Sequence, residues 1–83
     1  MAASKQPGRV PNREEVRMLK SVGVNGWPND LREQLAARNG AAVGAVDALV
    51  ALGWLAALSD GRLHLTREGK AALRAGLALY PWA

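Results

Sequence analysis

Gly53-Trp54-Leu55-Ala56-Ala57-Leu58-Ser59-Asp60-Gly61-Arg62-Leu63-His64-Leu65-Thr66 is the stretch that decides the fold. Trp54 to Leu58 is short and apolar. Asp60-Gly61 is a strong signal for a two-residue hairpin turn, because both residues accept a left-handed backbone. Arg62 to Thr66 then alternates with period two, which turns Leu63 and Leu65 toward a core and Arg62, His64 and Thr66 outward. A β-hairpin is expected here. Thr66 is placed to cap a helix running from Arg67 to about Leu79, with Leu73, Leu77 and Tyr80 along one side.

Upstream, the spacing changes to that of helices. Ala42, Val46, Leu49 and Gly53 fall on one face of a helix from about Ala41 to Leu52, with Val43 and Val50 beside them. Asn39-Gly40 stops the helix before it. That second helix is expected to start at Asn29 or Asp30, where Asp30 and Glu33 have capping-box spacing, and to bury Leu31 and Leu35. A first helix follows a cap at Asn12, with Glu15 in the reciprocal position, an apolar stripe of Val16 and Leu19 with Met18 and Val22, and Gly23 at its end. Val24 to Pro28 cannot be helical, and a short strand is expected around Val24. Residues 1–11 read as a flexible basic arm broken by Pro7-Gly8 and Pro11. Residues 12–83 read as one domain.

Composition narrows the function. With 83 residues and no cysteine, the chain has no disulfide, thiolate zinc site or cysteine nucleophile. One histidine cannot hold a metal, and no Ser-His-acid set or phosphate loop is readable. No catalytic residues, metal or cofactor are therefore expected. The start of the sequence shows no apolar signal region, which gives a cytoplasmic expectation. Ala41 to Leu58 carries a single charge, Asp47, but its alanines and glycines make a membrane span a poor reading. The formal net charge is +4, and it is uneven. Residues 1–20 and 61–83 are each net +3, and residues 21–60 are net −2. Basic ends around a mildly acidic middle suggest a polyanionic partner.

The order helix, short strand, helix, helix, hairpin, helix resembles the winged helix-turn-helix superfamily over roughly residues 12–79. Leu49-Val50-Ala51-Leu52-Gly53-Trp54-Leu55, followed by Asp60 to Thr66 and Arg67-Glu68-Gly69-Lys70, carries the resemblance. Many bacterial regulators have a helix ending in leucine and glycine, a hairpin, and then a leucine-threonine-x-x-glycine-lysine segment. The subfamily is not identified. The resemblance implies a mostly α fold with a two-stranded wing and a DNA-binding role in transcription regulation, the third helix entering the major groove.

The residues of the third helix depart from that pattern. Ala41, Gly44, Ala45, Asp47, Ala48 and Ala51 offer nothing to read base edges. Two readings follow. In one, the arm and wing bind DNA through Lys5, Arg9, Arg13, Arg38, Arg62, His64, Arg67 and Lys70, with salt dependence and weak sequence preference. In the other, the chain is a protein-protein interaction module or adaptor. Its docking surface is then Ala41, Gly44, Ala45 and Ala48 on the third helix, or Leu77, Tyr80 and Trp82 at the end of the fourth. Trp27 and Trp54 are expected in the core. Trp82 either folds back on its domain or serves a homodimer contact through the last helix.

Overall fold

The computed structural model describes residues 10–83. It is mostly helical, with a small antiparallel sheet. Helix α1 spans Arg13–Val22. Its capping box forms as the spacing requires: Asn12 Oδ1 accepts from the Glu15 N–H at 2.8 Å, and Glu15 Oε1 accepts from the Asn12 N–H at 2.9 Å. Val16, Met18, Leu19 and Val22 are buried. Pro11, the last residue of the stretch read as an arm, is also buried.

The loop after α1 differs from expectation. Strand β1 is Trp27–Pro28, and Val24 is 89% exposed. Its position follows from pairing: Trp27 lies opposite Leu63 and Pro28 opposite Arg62. A 3-10 turn, Asn29–Leu31, leads into helix α2, Arg32–Arg38. Neither has a side-chain cap, so Asp30 and Glu33 make no capping box. Leu31 is in the 3-10 turn, out of phase with α2, and is exposed, while Leu35 and Ala36 are buried.

Helix α3 is Val43–Ala51, shorter than the apolar spacing suggests. Ala42 is extended and exposed at its N-cap, and Val43 is exposed. Val46 and Leu49 alone of its residues are fully buried. Strands β2, Leu55–Ala57, and β3, Arg62–Leu65, follow and pair with Leu55 opposite Leu65. With β1 they form a sheet of order β1-β3-β2. The hairpin loop has three residues, Ser59-Asp60-Gly61, rather than two. Leu58 N–H donates to the Arg62 carbonyl, Gly61 N–H donates to the Leu58 carbonyl, and Gly61 has φ +80°. This is the three-residue hairpin with glycine in the left-handed position.

Helix α4, Arg67–Leu79, starts where the sequence places it, with Thr66 Oγ1 accepting from the Gly69 N–H at 2.9 Å. The same hydroxyl donates to the Gly53 carbonyl, tying the helix start to the end of α3. The buried stripe of α4 is not Leu73, Leu77 and Tyr80, which are only half-buried; it is Gly69, Ala72 and Gly76. A Cβ on Gly69 would lie 2.0 Å from the Trp54 carbonyl oxygen. One on Gly76 would lie 2.3 Å from Val16 Cγ2 and 2.8 Å from Pro11 Cγ. The helix backbone itself therefore packs against the hairpin and α1. Met18, Leu19, Leu35, Leu49, Leu55 and Leu63 fill the space beneath, with Trp54 buried beside them and Trp27 packed half-exposed at the edge. Among the described residues no helix is long and apolar enough to cross a membrane.

Two glycine-to-alanine replacements should therefore behave oppositely. Gly69→Ala meets backbone and should lower unfolding free energy by about 1–3 kcal/mol or more. Gly44→Ala, in α3 with open space around it, should raise it by up to about 1 kcal/mol. Urea midpoints at constant m-value report both; a neutral Gly69→Ala would contradict the packing described.

Candidate nucleic-acid interface

The polar residues of the hairpin are engaged with the fold. Arg62 Nε donates to the Asn25 carbonyl at 2.9 Å and Nη2 donates to the Gly26 carbonyl at 3.0 Å. Its guanidinium clips the loop before β1 to β3 and points away from the hairpin tip. His64 Nε2 pairs with Asp60 Oδ2 at 2.8 Å, and Asp60 Oδ1 accepts the Arg62 N–H. Arg62 and His64 are thus not the free wing cations the alternation suggested. Hydrogen bonds from His64 and from the Arg62 backbone hold the Asp60 carboxyl below its ordinary value of 3.8.

Arg38 is placed over the Trp27 ring at 5.8 Å, a cation–π contact. Arg32, at the start of α2, binds Asp47 of α3 at 2.8 Å and also reaches the Asn29 side chain and carbonyl. Asp47 is therefore charge-compensated within the helix pair. Lys5 and Arg9 lie outside the described residues.

The remaining cations are on α1 and α4. Arg13, Arg17 and Lys20 stand at i, i+4 and i+7 on α1, opposite the buried stripe, and all are exposed. Arg67, Lys70 and Arg74 stand at i, i+3 and i+7 on α4, again opposite its buried stripe and exposed. These are two ridges on the outer faces of helices that pack together at Gly76 and Val16. Among the described residues, Lys20 is the one of the six whose side chain makes a hydrogen bond, to the main-chain oxygen of the last residue, Ala83. Arg13, Arg67 and Lys70 were legible candidates. Arg17, Lys20 and Arg74 were missed, although their helical spacing was available to find them. Glu14 and Glu68 sit beside the ridges; Glu15 is held by the cap.

The outer face of α3 is bare. Gly44, Ala48 and Ala51 are exposed with Asp47, and Val43 lies at one edge. Ala41 and Ala45 are partly buried against the core and are not part of a free docking face. At the other end, Leu77 and Tyr80 are half-buried, and Trp82 is 66% exposed with Tyr80 edge-on at 6.4 Å. Of the six candidates among the described residues, Arg38, Arg62 and His64 are engaged with the fold, while Arg13, Arg67 and Lys70 stand exposed on α1 and α4.

No protein-family model, curated protein or solved structure matches this chain.

The Asp60 contacts give a signed pH prediction. A depressed carboxyl contributes stability above its unfolded value and loses it as pH falls through the folded value. The melting-temperature lead of the wild type over Asp60→Asn should be present above 3.8 and should disappear on further acidification. Parallel melting curves across that range check it; a lead that persists in strong acid would remove the role assigned to this carboxylate.

Proposed function

We propose that this chain is a winged helix-turn-helix domain that binds nucleic acid, duplex DNA foremost, through phosphate contacts from α1 and α4, serving as a small regulator or accessory factor without catalysis of its own. The observation that carries the reading is the pair of exposed basic ridges, Arg13-Arg17-Lys20 and Arg67-Lys70-Arg74. Seven helical steps rise about 10.5 Å. Each strand of a duplex presents about three phosphates over that axial length. A ridge of three cations therefore matches the charge spacing of one strand. The order of elements and the three-residue hairpin support the fold reading. The bare face of α3 argues for affinity without base readout.

A second reading has its own support. An α3 face of Gly44, Ala48 and Ala51 lets another helix approach closely, which favours a protein-docking role for the same fold.

Titration of the chain against a random-sequence duplex separates them. If all six ridge cations contact phosphate, log K should fall with log salt at a slope near −5. Lys70→Gln with Arg74→Gln should flatten that slope by about 2 units, and Arg62→Gln should leave it unchanged. Ala48→Glu should alter duplex affinity less than about threefold; a much larger loss would put α3 against the phosphates. No binding at low salt would eliminate the nucleic-acid reading.

A further inference from the structure

We propose that Asn25-Gly26 is a self-modifying site, at which the folded chain converts Asn25 to isoaspartate with water as the only reactant. Asparagine is among the chemically labile residues. The chain holds three pairs in which a side-chain carbonyl precedes a glycine: Asn25-Gly26, Asn39-Gly40 and Asp60-Gly61. Glycine has no Cβ to shield its nitrogen from that carbonyl. The fold blocks two of the pairs. Asn39 Nδ2 donates to the Leu35 carbonyl at 2.9 Å and to Ser21 Oγ at 3.3 Å, and the Gly40 N–H donates to the Ala37 carbonyl at 3.1 Å. Asp60 is a carboxylate, a poor electrophile, held by His64 and the Arg62 N–H, and the Gly61 N–H donates to the Leu58 carbonyl. Asn25 is exposed, and among the described residues neither its side-chain amide nor the Gly26 N–H has a hydrogen-bond partner. The fold also requires the glycine. Gly26 has φ +78°, and a Cβ there would lie 2.9 Å from the Leu63 carbonyl oxygen.

The reaction runs in two steps. The Gly26 nitrogen forms a bond to Asn25 Cγ, and the Cγ–Nδ2 bond breaks. The amide leaves as ammonia, taking the proton of the Gly26 nitrogen, and a cyclic imide remains. Water then adds to one imide carbonyl and breaks its bond to nitrogen. Opening at the former main-chain carbonyl turns that group into a carboxylate and routes the chain through Cγ, which is isoaspartate. That carbonyl is the one that accepts from Arg62 Nε at 2.9 Å. The guanidinium polarises it toward water and then faces the new carboxylate, a charge-assisted contact. Arg62 thus steers the opening toward isoaspartate. Each conversion adds a negative charge and lengthens the main chain by a carbon in the loop before β1.

The test incubates the full chain at mildly alkaline pH, native and in urea. Peptide mapping by mass spectrometry locates the conversion, and enzymatic methylation scores isoaspartate. In the native chain Asn25 should convert at least about tenfold faster than Asn39, whose amide must first break its hydrogen bonds. In urea the two rates should converge. The isoaspartate-to-aspartate ratio at residue 25 should be higher in the native chain than in urea. Arg62→Gln, with folding checked by its melting curve, should lower the native ratio toward the urea value. An Asn25 that stays intact in the native chain, or an Asn39 that converts there as fast, would overturn the site. A wild-type ratio equal in the native chain and in urea would overturn the part assigned to Arg62.

Discussion

At Gly69 the α4 backbone lies against the Trp54 carbonyl at a distance no Cβ permits, and at Gly76 it lies against Val16 and Pro11 in the same way. These contacts fix where α4 crosses the hairpin and α1. They also explain how a small chain without phenylalanine closes its core. Close helix approach replaces bulk, and the large apolar groups are reserved for the layer beneath, where Met18, Leu19, Leu49 and Leu63 meet. The Thr66 hydroxyl works at the same junction, donating to Gly53 and capping α4.

That crossing has an electrostatic consequence. With the small residues turned inward, Arg67, Lys70 and Arg74 face outward along α4, beside an α1 whose own cations face outward for the same reason. Amphipathic helices must put charge opposite their buried stripe. Each of the two helices therefore presents a basic ridge of its own without any residue having to bury a charge. Three of the acidic groups are engaged within the fold: Asp47 with Arg32, Asp60 with His64, and Glu15 with the α1 cap.

The hairpin shows how sequence chemistry can point to one role and geometry to another. Arg62 and His64 alternate outward as a wing strand should, yet each finds a partner within the fold. The carbonyls of Asn25 and Gly26 lie within reach of Arg62 because β1 pairs with β3, which brings that loop alongside. Their contribution is then to the shape of the three-stranded sheet. In this reading, binding would rest on backbone spacing on the helices rather than on hairpin fingers.

Much of the fold was legible before any coordinates. The Asn12–Glu15 box, the Thr66 cap, the α4 boundaries and the inward-facing Leu63 all depend on interactions within a few residues, and local spacing determines those. The same holds for the composition: the absence of cysteine and the basic ends are properties of the chain itself. Tertiary structure decided what local spacing cannot. It moved β1 from Val24 to Trp27, because a two-residue strand exists only where its partner is. It made Gly69-Ala72-Gly76 the contact stripe in place of larger leucines, because the allowed distance to Trp54 and Val16 depends on residues far along the chain. It also separated cations held by remote carbonyls, rings and carboxylates from those left facing water, since a side chain's partners are fixed by three-dimensional proximity and not by its own sequence neighbourhood.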